Sequence, residues 1–312
     1  MHIQTVVSLI IISASLFLLA ELLSRATEDL EVLFGQGLAG GVITGIITAL
    51  PETIVVIESI LDNKMSVAIS ASIGGNVILF TFGIGIISLV YSIKWKKDLK
   101  MKEDYNVEQR FLLFSTFLLS IAILIGYLNI ILSVLFILLY VYYVAYRIKH
   151  KPRRDLEKEE VNIKKDVLMI VISSVLIVFL ARPLVDSIVQ FSTELGITPA
   201  WFALFFIPIL SDAEELVTGI RLALSKNSEM GSTALVSLIG SKIQNGTMLL
   251  GIIGLLAWTP IKITSLTIEL LTVAIINVVS MIVLLDGNVK KWESLTLLLS
   301  YFVVIVLTRV AV

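Results

Sequence analysis

The feature that most constrains this chain is a series of apolar stretches, each about as long as a membrane-crossing helix, which needs roughly 20 apolar residues. Hydrophobic residues make up 57% of the 312 residues, and the mean hydropathy is +0.98. A soluble domain of this size cannot bury so much apolar surface. The sequence therefore predicts an all-α integral membrane protein with about ten transmembrane helices, over residues 4–24, 36–60, 65–92, 110–126, 129–147, 166–190, 197–223, 231–257, 263–285 and 293–311.

The longest polar segment separates these spans into two sets of five. It runs from Arg147 to Lys165 and mixes basic with acidic residues, as a solvated linker does. We therefore expect a first five-helix repeat over residues 1–147, a cytoplasmic linker over 148–165 and a second five-helix repeat over 166–312.

Basic residues set the expected orientation of the chain. Most of the 24 Lys and Arg residues fall in loops on one side of the membrane if the N-terminus is placed outside. Cytoplasmic loops carry the excess of basic residues, so we expect both termini outside the cell, with the protein in the plasma membrane. Because each repeat has five spans, the second enters from the opposite side, and the two are predicted to be inverted repeats.

Composition excludes several classes of protein and site. The sequence contains no cysteine, which rules out disulfides and thiolate metal sites. Its two histidines, His2 and His150, lie near segment ends, which argues against a zinc or copper site, and no resident cofactor is expected. A net charge of -1 gives no support for a nucleic-acid partner, so membrane lipid and transported cations are the expected partners. No cleavable signal peptide is expected, since the first apolar run begins almost at Met1 without a basic leader.

Two glutamates lie inside predicted spans, where a carboxylate is costly. Glu52 follows Pro51 in the span 36–60, and Glu215 follows Pro208 in the span 197–223. A charged side chain at the centre of a bilayer costs roughly 2.5–3.5 kcal/mol on insertion scales, so such residues usually mark a functional site. Proline-interrupted spans at matching positions of two halves are the pattern expected of a transporter's binding site.

Oxygen-bearing side chains surround these glutamates in sequence. Thr48 and Glu52 are four positions apart, as are Ser211 and Glu215, so each hydroxyl is expected on the same helix face as its glutamate. Hard cations such as Ca²⁺ prefer six to eight oxygen ligands. The candidate cation ligands are Glu52, Glu215, Thr48, Asp212, Ser211, Ser241, Asn245, Gln244 and Asn76. The alternative for the hydroxyls and amides is hydrogen bonding within or between helices.

Glu214 and Lys242 carry further charges near these residues. Glu214 lies about 100° around a helix from Glu215, which favours a different partner, such as Lys242. An unpaired ammonium is costly in mid-span. Lys242 is therefore expected to pair with a carboxylate, to point away towards the membrane surface or to lose its proton. In the first case it would pair with Glu214 or Asp212 and stand in for a cation in one transport state.

The residues T-A-L-P-E (Thr48–Glu52), S-D-A-E-E (Ser211–Glu215) and G-S-K-I-Q-N (Gly240–Asn245) resemble motifs of the calcium/cation antiporter superfamily, which includes sodium/calcium and proton/calcium exchangers. The resemblance implies two inverted repeats, each with an acidic motif followed by a glycine-serine helix that lines the same cavity. The first repeat departs from the family pattern: Ala49 and Gly75 stand where serines are usual, and Leu79 stands where the second repeat has Asn245.

These features together predict a secondary-active antiporter that exchanges Ca²⁺, or a similar cation, for Na⁺ or H⁺ by alternating access. Glu52 and Glu215 are the expected central ligands, and an H⁺-coupled or monovalent-cation exchanger of the same fold is the alternative. The sequence contains no Walker A motif, so an ion gradient is the expected energy source. An enzyme is not expected, because the spans lack metalloprotease, G-x-G-D and serine–histidine patterns. A channel would show a filter repeated by oligomerisation instead of an internal repeat.

Overall fold

The computed structural model describes residues 3–34, 47, 49–101, 105–150 and 163–311, and these residues are almost entirely helical, as the sequence predicts. The first half contains α1 (Ile3–Phe34), α2 (Leu50–Leu61), α3 (Met65–Ile78), α4 (Ile84–Trp95), α5 (Tyr105–Ile125) and α6 (Ile130–Lys149). The second half contains α7 (Ile163–Glu194), α8 (Pro199–Ser211), α9 (Ala213–Ala223), α10 (Met230–Gln244), α11 (Leu250–Leu256), α12 (Thr267–Val283) and α13 (Lys291–Ala311).

Seven helical segments in the described residues are long and apolar enough to cross a membrane. They coincide with seven of the ten expected spans: Thr5–Thr27, Met65–Trp95, Tyr105–Ile125, Ile130–Lys149, Ile163–Glu194, Thr264–Val283 and Lys291–Val310.

The other three expected spans carry all of the candidate ligands except Asn76, which lies in Met65–Trp95. Only part of the span 36–60 lies within the described residues, and Thr48 lies outside them. The span 197–223 is divided at Asp212 into two short helices, α8 and α9. The span 231–257 is helical over most of its length, but polar residues interrupt its apolar sequence. The count of ten transmembrane helices therefore stays a prediction.

Local sequence explains where the broken span begins and ends. The Thr198 side chain accepts a hydrogen bond from the backbone N–H of Trp201, and Pro199 occupies the first turn of α8, where a missing N–H costs nothing. Pro208 lies inside α8, and its lack of an N–H removes one hydrogen bond of the helix. The helix ends three residues later, at Ser211.

Two long helices contain a π-helical turn near their middle. Leu79–Gly83 joins α3 to α4, and Asn245–Leu249 joins α10 to α11. The first turn is held from the second half, because the Ser280 hydroxyl donates to the Phe80 carbonyl at 3.0 Å. Both turns follow the segments that carry the candidate ligands, so the backbone irregularities recur in the two halves.

Short strands join loops of one half to loops of the other. The strand β1 (Leu99–Lys100) pairs antiparallel with β4 (Asn288–Val289), and β2 (Tyr127–Leu128) pairs antiparallel with β3 (Ile261–Lys262). In helix order, β1 and β3 occupy corresponding loops of the two halves, and β2 and β4 do so as well. The two strand pairs therefore hold the halves together at two separate places.

One segment that carries site residues lies at the centre of the fold. The segment Met65–Trp95 is the most enclosed of the seven apolar segments. It packs against α8, where the Leu204 carbonyl oxygen would lie only 2.3 Å from a Cβ at Gly74. Glycine is needed there for this close approach. Helices α1 and α7 pack along each other, and both expose large apolar side chains, as a lipid-facing surface does.

Candidate functional site

Glu52 from the first half is enclosed by side chains of the second half. It lies in the first turn of α2, directly after Pro51, and is 4% exposed. Its Oε1 accepts a hydrogen bond from Ser211 Oγ at 3.0 Å, and its Oε2 accepts one from Asn245 Nδ2 at 2.5 Å. Both carboxylate oxygens are thus positioned across the interface between the halves.

The break between α8 and α9 brings Ser211 and Asp212 to this carboxylate. Helical i, i+4 spacing predicts that Ser211 lies beside Glu215, but the Ser211 hydroxyl donates to Glu52 instead. The reason is that α8 ends at Ser211, so the helical spacing does not continue to Glu215. Asp212 is 2% exposed, and within the described residues its Oδ2 has no hydrogen-bond partner.

Glu215 lies on the opposite side of the same cluster. It belongs to the first turn of α9, and its Oε2 accepts a hydrogen bond from Ser241 Oγ of α10 at 2.7 Å. Its side chain is 27% exposed, whereas that of Glu52 is 5% exposed. The two glutamates therefore differ in access: Glu52 is enclosed and Glu215 is partly open.

The ammonium of Lys242 lies between the three carboxylates. Its Nζ is 2.7 Å from Asp212 Oδ1, 3.9 Å from Glu52 Oε1 and 3.9 Å from Glu215 Oε2. The side chain is 0% exposed, so the alternative in which it points away towards the membrane surface is wrong. Opposite charges at these distances offset the cost of burying the ammonium.

Glu214 is not among the three carboxylates within 4 Å of the Lys242 ammonium in the described residues, so the expected pairing of Glu214 with Lys242 is not formed. Its carboxylate instead accepts a hydrogen bond from Ser24 of α1. The neighbouring glutamates thus point to different helices, as the 100° offset predicts. Of the two carboxylates proposed as partners for Lys242, the structure selects Asp212.

Gly75 of α3 provides the space that the lysine occupies. A Cβ at this position would lie 2.8 Å from Lys242 Nζ and 2.5 Å from Asp212 Oδ2. The glycine that replaces a usual serine in the first half is therefore matched to the lysine in the second.

Two candidate ligands bond outside the carboxylate cluster in this conformation. Asn76 Nδ2 donates to Asn277 Oδ1 at 2.9 Å, and Asn277 Nδ2 donates in turn to Thr116 Oγ1 at 3.0 Å. Gln244 Oε1 accepts from the Tyr140 hydroxyl at 2.9 Å. Asn277, Thr116 and Tyr140 are not among the residues expected from the sequence. An amide within the apolar helix α12 was the available signal for Asn277.

Within the described part of the chain, no three acidic or histidine side chains are grouped so that they could hold a metal ion in this arrangement. The carboxylates are instead distributed around the lysine ammonium. The cluster nevertheless contains carboxylate, hydroxyl and amide oxygens, which are the ligands that hard cations prefer.

Comparison with solved structures shows the fold. The H⁺/Ca²⁺ exchanger CAX superposes with a TM-score of 0.79 at 19% identity, over 96% of this chain and 81% of that one. Native YfkE gives 0.76 at 15% identity, over 97% and 92% of the two chains. The sodium-calcium exchanger NCX_Mj gives 0.65 at 16% identity, over 98% and 99%.

Two curated proteins are similar over part of their length. The sodium/calcium exchanger MaX1 of Methanosarcina acetivorans is 28% identical over 149 residues, which is 46% of this chain and 41% of that protein. A vacuolar calcium ion transporter of Cryptococcus neoformans is 27% identical over 171 residues, 51% of this chain and 27% of that protein. The chain therefore matches less than half the length of these relatives.

The family comparison covers nearly the whole sequence in two segments. The protein-family model described as "Sodium/calcium exchanger protein" matches residues 4–149 and 165–310. That family consists of membrane transporters, and the seven apolar helices agree with an integral membrane protein. By this match, the chain belongs to the sodium/calcium exchanger family.

Proposed function

We propose that this chain is a secondary-active antiporter that exchanges Ca²⁺, or a similar hard cation, for Na⁺ or H⁺. One observation carries the proposal: Glu52 and Glu215, from different halves, each lie 3.9 Å from the same buried ammonium. Carboxylates of both halves thus share one cation position. A cation transported through that position would be exchanged between the two faces of the membrane as the halves move.

The side chains around the shared position supply the remaining ligands of the proposed site. Asp212, Ser211, Ser241 and Asn245 already contact Glu52, Glu215 or Lys242. Thr48, Asn76 and Gln244 complete the proposed set of oxygen ligands. Since Ca²⁺ takes six to eight oxygens, rearrangement of these side chains would accompany its binding. No resident cofactor is needed, because the energy comes from a gradient of the exchanged cation.

We also propose that the two halves, residues 1–147 and 166–312, are inverted five-helix repeats joined by the linker 148–165. Support comes from the recurrence of a π-helical turn after the ligand segments and from the exchanged pairing of corresponding loops. Inverted repeats provide two equivalent arrangements of one structure, which is the basis of alternating access. The distribution of basic residues supports an orientation with both termini outside, and the proposed location is the plasma membrane.

The test is Ca²⁺ flux in liposomes containing the purified protein. A Na⁺ or H⁺ gradient should drive uptake of radioactive Ca²⁺ against its own gradient, and the effective gradient identifies the counter-ion. Glu52→Gln should abolish uptake, because it removes one of the two central charges. Glu58→Gln is a matched control on the same helix, since Glu58 lies 3.9 Å from the exposed Arg182 and away from the cluster. No uptake under either gradient, or full uptake by Glu52→Gln, would contradict the proposal.

A further inference from the structure

The structure assigns Lys242 the role of a resident cation. Its charge sets the number of monovalent charges that are exchanged for each divalent cation at two. This inference rests on the proposed antiport, which it makes quantitative. Its basis is the position of the ammonium, which is fully buried and lies within 3.9 Å of three carboxylates.

The formal charges of the cluster lead to that number. Glu52, Asp212 and Glu215 contribute three negative charges, and Lys242 contributes one positive charge. The four side chains together therefore carry a formal charge of -2. Buried charges are stable only when compensated, so the cluster is balanced by one divalent cation or by two monovalent cations. Exchange of one for the other moves no net charge across the membrane.

The surroundings of the lysine indicate a built position. Asn245 and Ser211 hold Glu52, while Ser241 holds Glu215, so the carboxylates are fixed independently of the ammonium. Gly75 leaves the room that the ammonium fills. The second oxygen of Asp212 is buried and has no hydrogen-bond partner within the described residues. The first oxygen has the ammonium of Lys242 as its ion-pair partner, at 2.7 Å.

A divalent cation and the ammonium repel each other at these distances. When Ca²⁺ binds to the two glutamates, the ammonium is expected to withdraw towards Asp212, its nearest partner. Lys242 and Asp212 thus form a neutral pair that remains in the protein throughout the cycle. Two glutamates are left to carry the transported charge.

Four variants test the charge balance: wild type, Lys242→Met, Asp212→Asn and the double variant Lys242→Met/Asp212→Asn. Their formal site charges are -2, -3, -1 and -2. Each is reconstituted in liposomes whose membrane potential is clamped by K⁺ and valinomycin, and Ca²⁺ uptake is measured at inside-positive and inside-negative potentials. A purely structural lysine would not change the dependence of uptake on potential.

We expect uptake by wild type and the double variant to be the same at both potentials. Lys242→Met should exchange three monovalent charges for each Ca²⁺, so an inside-positive potential should speed its uptake. Asp212→Asn should exchange one, so an inside-negative potential should speed its uptake. If Lys242→Met does not fold, the comparison of Asp212→Asn with the double variant decides in the same way.

The same voltage dependence in all folded variants would overturn the inference and leave the antiport proposal standing. Voltage-dependent uptake by wild type would also overturn the inference and leave the antiport proposal standing. Absence of Ca²⁺ uptake by wild type under every imposed ion gradient would overturn the antiport proposal and, with it, this inference.

Discussion

The two halves of the molecule contribute unequally to the carboxylate cluster. The first half provides one charged side chain, Glu52, and the space left by Gly75. The second half provides the other charges, at Asp212, Glu215 and Lys242. It also provides the hydrogen-bond donors that hold both glutamates, from Ser211, Ser241 and Asn245.

This inequality shows that the cluster depends on the contact between the halves. Both oxygens of Glu52 are held by residues 159 and 193 positions away in sequence, across the interface. Glu215, in contrast, is held by Ser241 of its own half. A relative movement of the halves would therefore release Glu52 from its donors while Glu215 kept its own. The unequal contributions of the two halves can be tested by substituting residues of one half at a time.

After the loss of uptake expected for Glu52→Gln, the next largest effect is expected from Glu215→Gln. Removing one partner of a buried, hydrogen-bonded charge pair costs about 2–5 kcal/mol. Because the Glu215 side chain is 27% exposed, the lower end of this range applies, which corresponds to a decrease of roughly 30-fold at about 1.4 kcal/mol for each factor of ten. We expect a decrease of that size in the initial rate of Ca²⁺ exchange, measured in liposomes at limiting Ca²⁺.

Glu214→Gln is the matched control for this variant, since the adjacent carboxylate is bound to Ser24 of α1. Exchange by Glu214→Gln should stay within a few-fold of wild type. Equal losses in the two variants would indicate that the local helix, and not the cluster, determines the effect.

The sequence singles out the two glutamates and the polar residues near them, but not which donor holds which carboxylate. Carboxylates in apolar spans are rare, so Glu52 and Glu215 are recognisable without a structure. The donors to Glu52 come from the other half, and no periodicity within a helix predicts such contacts. Ser211 illustrates the limit: spacing assigns it to Glu215, but the helix break at Asp212 turns it to Glu52.

The fold shows a similar division between what could and could not be predicted. Long, continuously apolar helices coincide with the expected spans, because length and hydropathy determine them. The break between α8 and α9 has a local signal in Pro208. The first π-helical turn instead receives a hydrogen bond from Ser280 of another helix, a contact that composition does not reveal. The position of Lys242 likewise depends on the absence of a side chain at Gly75, on another helix.

An intermediate effect is expected from Asn245→Leu. This substitution gives the second half the residue that the first half has at Leu79, and it removes the donor to Glu52 Oε2. Hydrogen bonds to charged groups contribute about 1.5–3 kcal/mol, so we expect Ca²⁺ exchange to require a roughly tenfold higher Ca²⁺ concentration for half-maximal rate.

Gln244→Leu provides the comparison on the preceding residue, because the Gln244 side-chain oxygen accepts a hydrogen bond from Tyr140, which lies outside the carboxylate cluster. Its half-maximal Ca²⁺ concentration should change less than that of Asn245→Leu. The reverse order would show that Tyr140 and Gln244 hold the site more strongly than the bond to Glu52.

The smallest effect is expected from Gly75→Ala, which tests how closely the first half fits the lysine of the second. The added Cβ would lie 2.5 Å from Asp212 Oδ2 and 2.8 Å from Lys242 Nζ, so the ion pair must shift inside an enclosed space. Overpacking of a buried site costs about 1–3 kcal/mol. We expect the melting temperature of the detergent-solubilised protein to fall by several degrees.

Gly246→Ala should change the melting temperature much less, because its Cβ would meet its nearest neighbour, Asn76 Nδ2, at an ordinary 3.8 Å. Equal melting temperatures for Gly75→Ala and wild type would mean that the lysine position does not depend on this glycine.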